Sequence, residues 1–293
     1  MQFSHKINPM KLFEKIKNKK IKCLACEHKC EIPESQEGVC GVRRNKNQNL
    51  ELIVYGKPCS LAIDPIEKKP LHKFLPGTDI LSLGTFGCNF NCKFCQNHSI
   101  SQKPFRDFAY GDIQPQQIVS EALEKRIPSI AYTYNEPTVF FEFAYDIGIL
   151  ARKNNLKNVF VSNGFMSEVT LEKSFDFLDA VNFDLKSFSD EFYKKTCGGK
   201  LAPVLRNIRK AYQAGIHIEI TTLLVTDLND SEQEIKNITE FILDLSPEVP
   251  WHISRFFPCF KMKDVAATPL EKLFLAREIA ERMGLKNVYL GNV

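Results

Sequence analysis

Apolar segments alternate with amphipathic ones from about residue 80 to the end of the chain. The segments "DILSLGT", "SIAYTY", "NVFVSN", "AVNFDLK", "HIEITTLLV", "WHISRFF" and "NVYL" have the length and β-branched content of strands, and stretches such as "PQQIVSEALEKR" between them have helical periodicity. Strands that alternate with helices are typical of parallel βαβ units. Six such units plus one strand are more than a small flavodoxin-like sheet contains. The pattern therefore predicts an α/β fold, a partial (β/α)6 TIM-like barrel over residues 77–293.

The first 76 residues lack this alternation. Residues 1–20 are rich in lysine with spaced apolar positions, which predicts a short basic amphipathic helix. Residues 21–76 are rich in Cys, Pro and Gly and contain only short apolar pieces, which predicts small strands and loops. We therefore expect two regions: an N-terminal helix with a small Cys-rich domain at 1–76, and a barrel at 77–293.

Polar residues recur where the predicted barrel strands end. In a parallel β/α barrel the chemistry lies at the carboxyl ends of the strands, on the loops that lead to the helices. Side chains alternate along a strand, so polar residues two apart share the face that points into the barrel. The residues selected in this way, from the first strand to the sixth, are Cys88, Asn135, Glu136, Asn163, Asn182, Asp184, Lys186, Glu219, Thr221, His252 and Ser254.

The amino-acid composition narrows the classes of protein to which this chain can belong. Hydrophobic residues make up 44% and charged residues 25% of the 293, enough for a globular core. The net charge of +4 indicates a solvated basic surface rather than a nucleic-acid interface. The chain has neither an apolar run long enough to span a membrane nor an apolar signal core, so we expect a cytoplasmic protein. Ten cysteines in a reducing compartment indicate metal binding or thiol chemistry rather than disulfides.

Three of these cysteines form a C-x3-C-x2-C run in "GTFGCNFNCKFCQN". Three thiolates, from Cys88, Cys92 and Cys95, can hold three irons of a [4Fe–4S] cluster and leave the fourth iron open to a non-protein ligand. A zinc knuckle or a simple electron-transfer cluster is the alternative, and it would need a fourth ligand such as His98.

The stretch "CNFNCKFC", directly after the first barrel strand, resembles the cluster loop of the radical S-adenosylmethionine (SAM) enzymes. The resemblance implies that the open iron binds the amino and carboxylate groups of SAM. It also implies reductive cleavage of SAM to methionine and a 5′-deoxyadenosyl radical that abstracts hydrogen from a substrate. An external low-potential electron donor is then required as a partner.

Further motifs extend the resemblance to the activating enzymes of the pyruvate formate-lyase type. "YNEP" resembles the segment that binds the SAM amino group, "DLK" resembles a SAM-contacting strand end, and Phe94 matches an aromatic residue whose backbone meets the adenine. Nearly the whole chain resembles the radical SAM enzymes of the AmmeMemoRadiSam system, which implies AMMECR1-type and Memo-type partner proteins. The residues expected to bind SAM are Phe94, Asn135, Glu136, Asn163, Asp184, Lys186 and His252.

Two features stay open at this point. The set Cys23, Cys26, Cys30 and Cys40 has the spacing of a structural zinc site or a second cluster, and free thiols are the alternative. The charged stretch "DPIEKKPLHKF" is either a solvated turn or a lid over the barrel mouth. The function we expect is radical SAM chemistry on an unidentified substrate. The alternatives are an activase that abstracts hydrogen from a glycine of a partner protein, and a non-catalytic iron–sulfur electron carrier.

Overall fold

The computed structural model describes residues 11–102 and 112–293. Over that part of the chain no helix is both long and apolar enough to cross a membrane. The helix predicted over residues 1–20 is wrong where it can be assessed, and its first ten residues lie outside the described ranges. Phe13–Lys15 is instead a strand that pairs antiparallel with Ile21–Cys23, and Leu12 beside it is buried. Tertiary pairing with a neighbouring strand overrides the weak helical periodicity of this segment.

Residues 11–59 form a small unit of short strands, called here the N-terminal module. Three strands pair antiparallel and two more make a hairpin, and none exceeds four residues. In chain order they are β1 (Phe13–Lys15), β2 (Ile21–Cys23), β3 (Glu31–Ile32), β4 (Arg43–Lys46) and β5 (Asn49–Leu52).

The main sheet has eight strands in the order β13-β12-β11-β10-β9-β8-β7-β6, and all neighbouring strands pair in parallel except β6 with β7. This confirms the predicted partial barrel with six β/α units and an extra strand. The antiparallel strand β6 lies before the domain boundary predicted at residue 77, so the sheet crosses that boundary. The strands are β6 (Ser60–Pro65), β7 (Asp79–Gly84), β8 (Ser129–Tyr132), β9 (Lys157–Ser162), β10 (Ala180–Asp184), β11 (His217–Leu224), β12 (Trp251–Arg255) and β13 (Val288–Gly291).

Helices cover the outer face of this sheet. Ser167, Ser189 and Ser231 cap three of them through a side-chain oxygen that accepts a backbone N–H, which satisfies a donor at the helix start. Gly148 permits close packing of its helix against Phe177, because a Cβ atom there would lie 2.1 Å from the Phe177 ring. The helices are α1 (His98–Ser101), α2 (Pro115–Glu124), α3 (Phe141–Lys153), α4 (Glu168–Ser174), α5 (Asp190–Phe192), α6 (Leu201–Gln213), α7 (Glu232–Leu245) and α8 (Leu270–Met283).

The lower half of the barrel interior is filled by residues 66–74, called here the plug segment. Its Ile66 and Leu71 pack in a buried cluster with one residue from each of four strands, namely Ile80, Ala131, Val159 and Ala180. The Pro70 carbonyl accepts a hydrogen bond from Asn182 Nδ2 at 2.7 Å. Below it, the backbone N–H groups of His72 and Lys73 donate to the Glu219 carboxylate at 3.0 and 2.8 Å. Backbone from before the first parallel strand thus closes the amino-terminal end of the barrel.

Glu219 is fully buried and holds the plug segment in place. Its carboxylate also contacts His217 Nε2 at 3.0 Å and His252 Nε2 at 2.6 Å. Burial by itself would raise the pKa of Glu219, but hydrogen bonds from the two histidines and the two plug amides outweigh burial and hold the pKa at about 2.

Replacing Glu219 by glutamine should therefore change the response of the protein to acid. A depressed pKa in the folded state stabilises the protein fully above the unfolded value of about 4.5, and the contribution is lost as the pH falls towards 2. We expect Glu219→Gln to lower the free energy of unfolding at pH 7 by about 3 kcal/mol. We also expect the variant to lose less stability than the wild type between pH 5 and about 2.5, as measured by urea denaturation.

Glu240→Gln, on the exposed side of α7, is the control. Parallel pH profiles for wild type and Glu219→Gln would contradict this role.

Candidate active site

A cavity of about 390 Å³ lies at the carboxyl ends of the barrel strands. It brings together most of the residues selected from sequence. Lys68, Lys69 and Pro70 of the plug segment also line it, but from inside the barrel and not as the lid over the barrel mouth that was considered for that charged stretch. The lining residues selected from sequence are Cys88, Cys92, Phe94, Cys95, Asn135, Glu136, Asn163, Asn182, Asp184, Lys186, Thr221 and Ser254.

His252 is not among the residues that line this cavity, contrary to the prediction that it binds SAM. It faces the barrel interior as strand alternation requires, but one layer deeper, where it pairs with Glu219 and stacks on Tyr289 at 5.2 Å between ring centroids. Ser254, two residues further along β12, reaches the cavity instead. His252 therefore belongs to the barrel floor.

The three cysteines lie on residues 85–97, called here the cluster loop, and Asn135 ties down its start. The Asn135 side chain accepts from Thr85 N at 3.1 Å and donates to the carbonyls of Phe86 and Gly87 at 3.3 and 2.8 Å. Because these contacts use both ends of the buried amide, Asn135 positions the backbone that leads into Cys88. The sequence prediction selected this residue for SAM contact, and the structure gives it this supporting role.

The back of the cluster loop rests on the N-terminal module. Gly87 has a φ of +85°, and a Cβ atom there would lie 2.5 Å from the Cys40 carbonyl oxygen, so only glycine fits. His28 Nε2 lies 2.7 Å from the Asn89 carbonyl. The module therefore forms one wall of the site.

Two later segments hold the opposite side of the cluster loop. Asn91 N donates to the Cys197 carbonyl at 2.8 Å, and Lys261 N donates to the Lys93 carbonyl at 3.0 Å. Cys259 Sγ donates to the Phe94 carbonyl at 3.2 Å. Cys197 is fully buried here, outside the lining of the cavity. The cluster loop is thus fixed from both sides before any ligand binds.

The thiols of the loop already have polar neighbours. Phe90 N donates to Cys88 Sγ at 3.4 Å, and Cys95 Sγ lies 3.1 Å from Ser101 Oγ. Burial raises the pKa of the Cys88 and Cys95 thiols. His98, the fourth ligand considered for a closed site, turns away: its Nδ1 contacts the Cys95 carbonyl and its ring stacks on Phe260 at 4.6 Å.

This donor set fits a cluster better than a single ion. Within residues 11–102 and 112–293, no three Cys, His, Asp or Glu side chains are close enough to share one metal ion. In a [4Fe–4S] cluster each thiolate binds a different iron, so the sulfur atoms stand further apart. Asn89 follows Cys88 in the sequence, and its side-chain Nδ2 is buried and has no hydrogen-bond partner in the described part of the chain. A buried N–H donor of this kind suits a sulfur acceptor, so the residues present fit the cluster.

Glu136 connects the ends of β8 and β9. Its Oε1 accepts from Thr138 N at 3.1 Å and from Ser162 Oγ at 2.9 Å, and its Oε2 accepts from Asn163 N at 2.8 Å. Burial raises the pKa of this carboxyl group, although these donors oppose the rise. Asn163 in turn donates through Nδ2 to Asn89 Oδ1 at 2.7 Å, which links β9 to the cluster loop.

Asp184 and Lys186 form an ion pair at the end of β10. Lys186 Nζ lies 3.1 Å from Asp184 Oδ2 and 5.7 Å from the centroid of the Phe94 ring. Burial acts to lower the pKa of Lys186, but Asp184 and the nearby Cys92 outweigh it and hold that pKa well above its usual value. The pair places a fixed positive and a fixed negative charge at the cavity wall.

A second polar group lines the wall that the plug segment forms. Lys69 Nζ lies 2.7 Å from Asp64 Oδ2 and 4.6 Å from the Tyr134 ring centroid, and Tyr134 Oη donates to the same Asp64 oxygen at 2.8 Å. The sequence analysis included Tyr134 only as the first residue of the "YNEP" segment. The positive φ of +68° at Tyr134, which turns its side chain to this wall, has no signature in the residue type.

Comparison with known proteins is consistent with this geometry. A family model described as Radical SAM superfamily matches residues 82–242. An uncharacterised protein of Methanocaldococcus jannaschii is 45% identical over 282 residues, which are 96% of this chain and 84% of the relative. Another protein of that archaeon, provisionally named a glycyl-radical enzyme activating enzyme, is 24% identical over 74% of this chain and 80% of its own length.

Solved structures share the fold at low sequence identity. Streptococcus suis SuiB bound to S-adenosylmethionine superposes with a TM-score of 0.57 at 14% identity, covering 73% of this chain and 52% of SuiB. A radical SAM methyltransferase from Sphaerobacter thermophilus gives a TM-score of 0.54 at 14% identity, covering 75% of this chain and 68% of that structure. At such identities the likeness concerns the fold alone.

Proposed function

This chain belongs to the radical SAM superfamily, and from that premise we propose that its cavity binds a [4Fe–4S] cluster and SAM. Cys88, Cys92 and Cys95 are the proposed cluster ligands. The observation that carries the proposal is that three thiols line one cavity at the strand ends, while His98, the fourth ligand considered for a closed site, turns away. When bound, these cofactors supply the reductive cleavage of SAM to methionine and a 5′-deoxyadenosyl radical that abstracts hydrogen from a substrate.

The polar residues of the cavity are proposed to orient SAM. A carboxylate offers about four acceptor positions. Glu136 Oε2 uses one of its positions on Asn163 N, so it can also accept from an ammonium group. Asp184 and Lys186 present opposite charges that suit a zwitterionic amino-acid ligand. The Phe94 ring, buried at the wall, supplies an apolar surface for a nucleobase.

The walls of the cavity are proposed to exclude water from the reacting groups. The plug segment seals the lower end, and the Asp64, Lys69 and Tyr134 group closes one side. A dry, fixed environment limits side reactions of a reactive intermediate. The substrate must reach this site from the upper mouth.

Anaerobic reconstitution tests the proposal. The protein is loaded with iron and sulfide, reduced with dithionite and incubated with SAM, and 5′-deoxyadenosine is quantified. We expect 5′-deoxyadenosine only when iron, reductant and SAM are all present, with protein kept free of iron as the control. A stable cluster that never cleaves SAM would instead support the non-catalytic electron carrier.

A glycyl-radical-enzyme activase is a second candidate, favoured by the similarity to the provisionally named archaeal activating enzyme. In that case the hydrogen would come from a glycine of a partner protein. AMMECR1-type and Memo-type proteins are alternative partners suggested by the sequence resemblance. A glycyl doublet in the electron paramagnetic resonance spectrum of a candidate partner would identify the activase, and no doublet with any candidate partner would reject it.

A further inference from the structure

Four cysteines outside the active site converge in the N-terminal module. Cys23 and Cys30 face each other across the hairpin of β2 and β3, where Cys23 N donates to the Cys30 carbonyl at 2.9 Å. Cys26 lies in the connecting loop, in a turn closed by the bond from Lys29 N to the Cys26 carbonyl at 3.1 Å. One hairpin therefore carries three of the four thiols.

The fourth thiol is brought to the same place by a separate turn. Gly41 N donates to the Gly38 carbonyl at 2.9 Å, which closes a turn that contains Cys40. A Cβ atom on Gly38 would lie only 3.5 Å from Cys30 Sγ, so this turn packs directly on that sulfur.

Neither a disulfide nor a single metal ion explains this convergence. The strands of the module are two to four residues long, and its apolar residues pack into the same core as the barrel. None of the ten cysteines forms a disulfide. The described thiols are also not close enough for three of them to share one ion, as a tetrahedral zinc site would require with Zn–S bonds of about 2.3 Å.

We propose that Cys23, Cys26, Cys30 and Cys40 bind a second [4Fe–4S] cluster, one whose four irons all have protein ligands. Such a cluster transfers electrons and has no open iron for a substrate. The proposal is independent of SAM chemistry, because it depends on thiols that do not line the active-site cavity.

The position of the module gives the second cluster a role. The Cys40 carbonyl meets Gly87, the neighbour of Cys88, and His28 contacts the Asn89 carbonyl at 2.7 Å. The segments that carry the second cysteine set therefore pack directly against the cluster loop. One electron from a low-potential one-electron donor would reduce the second cluster, which is then reoxidised as it reduces the first. This role, unlike the site itself, rests on the proposed function.

Metal analysis of the reconstituted full chain tests the proposal. We expect about eight irons and eight sulfides per wild-type chain, and about four of each in the triple variant Cys88→Ala, Cys92→Ala, Cys95→Ala. Cys26→Ala should lose about four irons, whereas Cys59→Ala, which changes a half-buried thiol outside both sets, should retain all eight. After dithionite reduction, the wild-type resonance spectrum should show magnetic coupling between two clusters, which the triple variant lacks.

The wild-type iron content decides the matter even if a variant fails to fold. About four irons in a fully reconstituted wild type, all lost in the triple variant, would overturn the second cluster and leave the proposed function standing. One zinc per chain at the N-terminal cysteines would overturn it as well. Eight irons with coupled signals but no 5′-deoxyadenosine would support the second cluster while the proposed function fails.

Discussion

Replacing Cys92 by alanine is expected to reduce 5′-deoxyadenosine formation to the background level. Cys92 is buried at the cavity, and its alanine variant leaves only two thiols for a cluster that uses three. An iron without its protein ligand is lost or exchanges with solvent, so the cluster fails to form or cannot bind SAM productively. The same result is expected for Cys88→Ala and Cys95→Ala. The deciding measurement is 5′-deoxyadenosine after reduction, because the proposed second cluster would keep part of the brown absorbance after reconstitution.

Cys59→Ala is the matched control, since it removes a half-buried thiol that does not line the cavity. It should retain both absorbance and turnover. Circular dichroism of each variant separates loss of the cluster from loss of the fold. Turnover at the wild-type rate in any of the three cavity variants would show that the cluster is held elsewhere.

Replacing Arg43 by methionine is expected to give the largest loss of stability. Arg43 is only 2% exposed and forms a two-pronged ion pair with Glu142 at 2.9 and 2.5 Å. The same guanidinium donates to the carbonyls of Thr138 and Val139, so it joins the N-terminal module to the start of α3. Removing one partner of a buried pair leaves the other without compensation, at a cost of about 3–5 kcal/mol. Urea denaturation measures the change in the free energy of unfolding.

Arg44→Ala is the control, one residue further along the same strand. Arg44 pairs with Glu37 at the surface, where both side chains are more than a third exposed. Exposed pairs contribute about 0–1 kcal/mol. A double variant, Arg43→Met with Glu142→Leu, should recover part of the lost stability because no unpaired carboxylate remains. Equal effects for Arg43→Met and Arg44→Ala would mean that the ion pair of Arg43 is not structurally important.

The upper half of the barrel could be predicted from the sequence because its signals are local. Each signal depends on residues that are close together in the sequence. The signals are the strand length, the alternation of Asn182 and Asp184 with apolar neighbours, and the polar residues after each strand. The carboxyl ends of parallel strands meet by geometry. Short-range patterns therefore placed Cys88, Asp184 and Lys186 at one cavity before any tertiary contact was known.

The lower half could not be predicted, because its contacts join distant parts of the chain. Strand β6 is half-exposed and ends at Pro65, so its pairing with β7 has no strong signature. The plug segment reads as a charged turn, and only the structure brings its amides to Glu219. The alternation of side chains along β12 predicted correctly that His252 faces the barrel interior. It could not predict how far His252 lies below the cavity, because that depends on how much of the barrel the plug segment fills.

The plug segment also has a consequence for the order in which the protein assembles. Its His72 amide and the Glu219 carboxylate that receives it are 147 residues apart in sequence. Contacts of such long range incur the entropy of closing a large loop before they contribute stability, and they slow folding. During synthesis the plug segment leaves the ribosome long before β11, so its amides have no Glu219 carboxylate to donate to until β11 has been made. The backbone amides at the bottom of the barrel should thus be among the last to become protected from hydrogen exchange. Measuring exchange at His72 and Lys73 in chains truncated to successive lengths would test this.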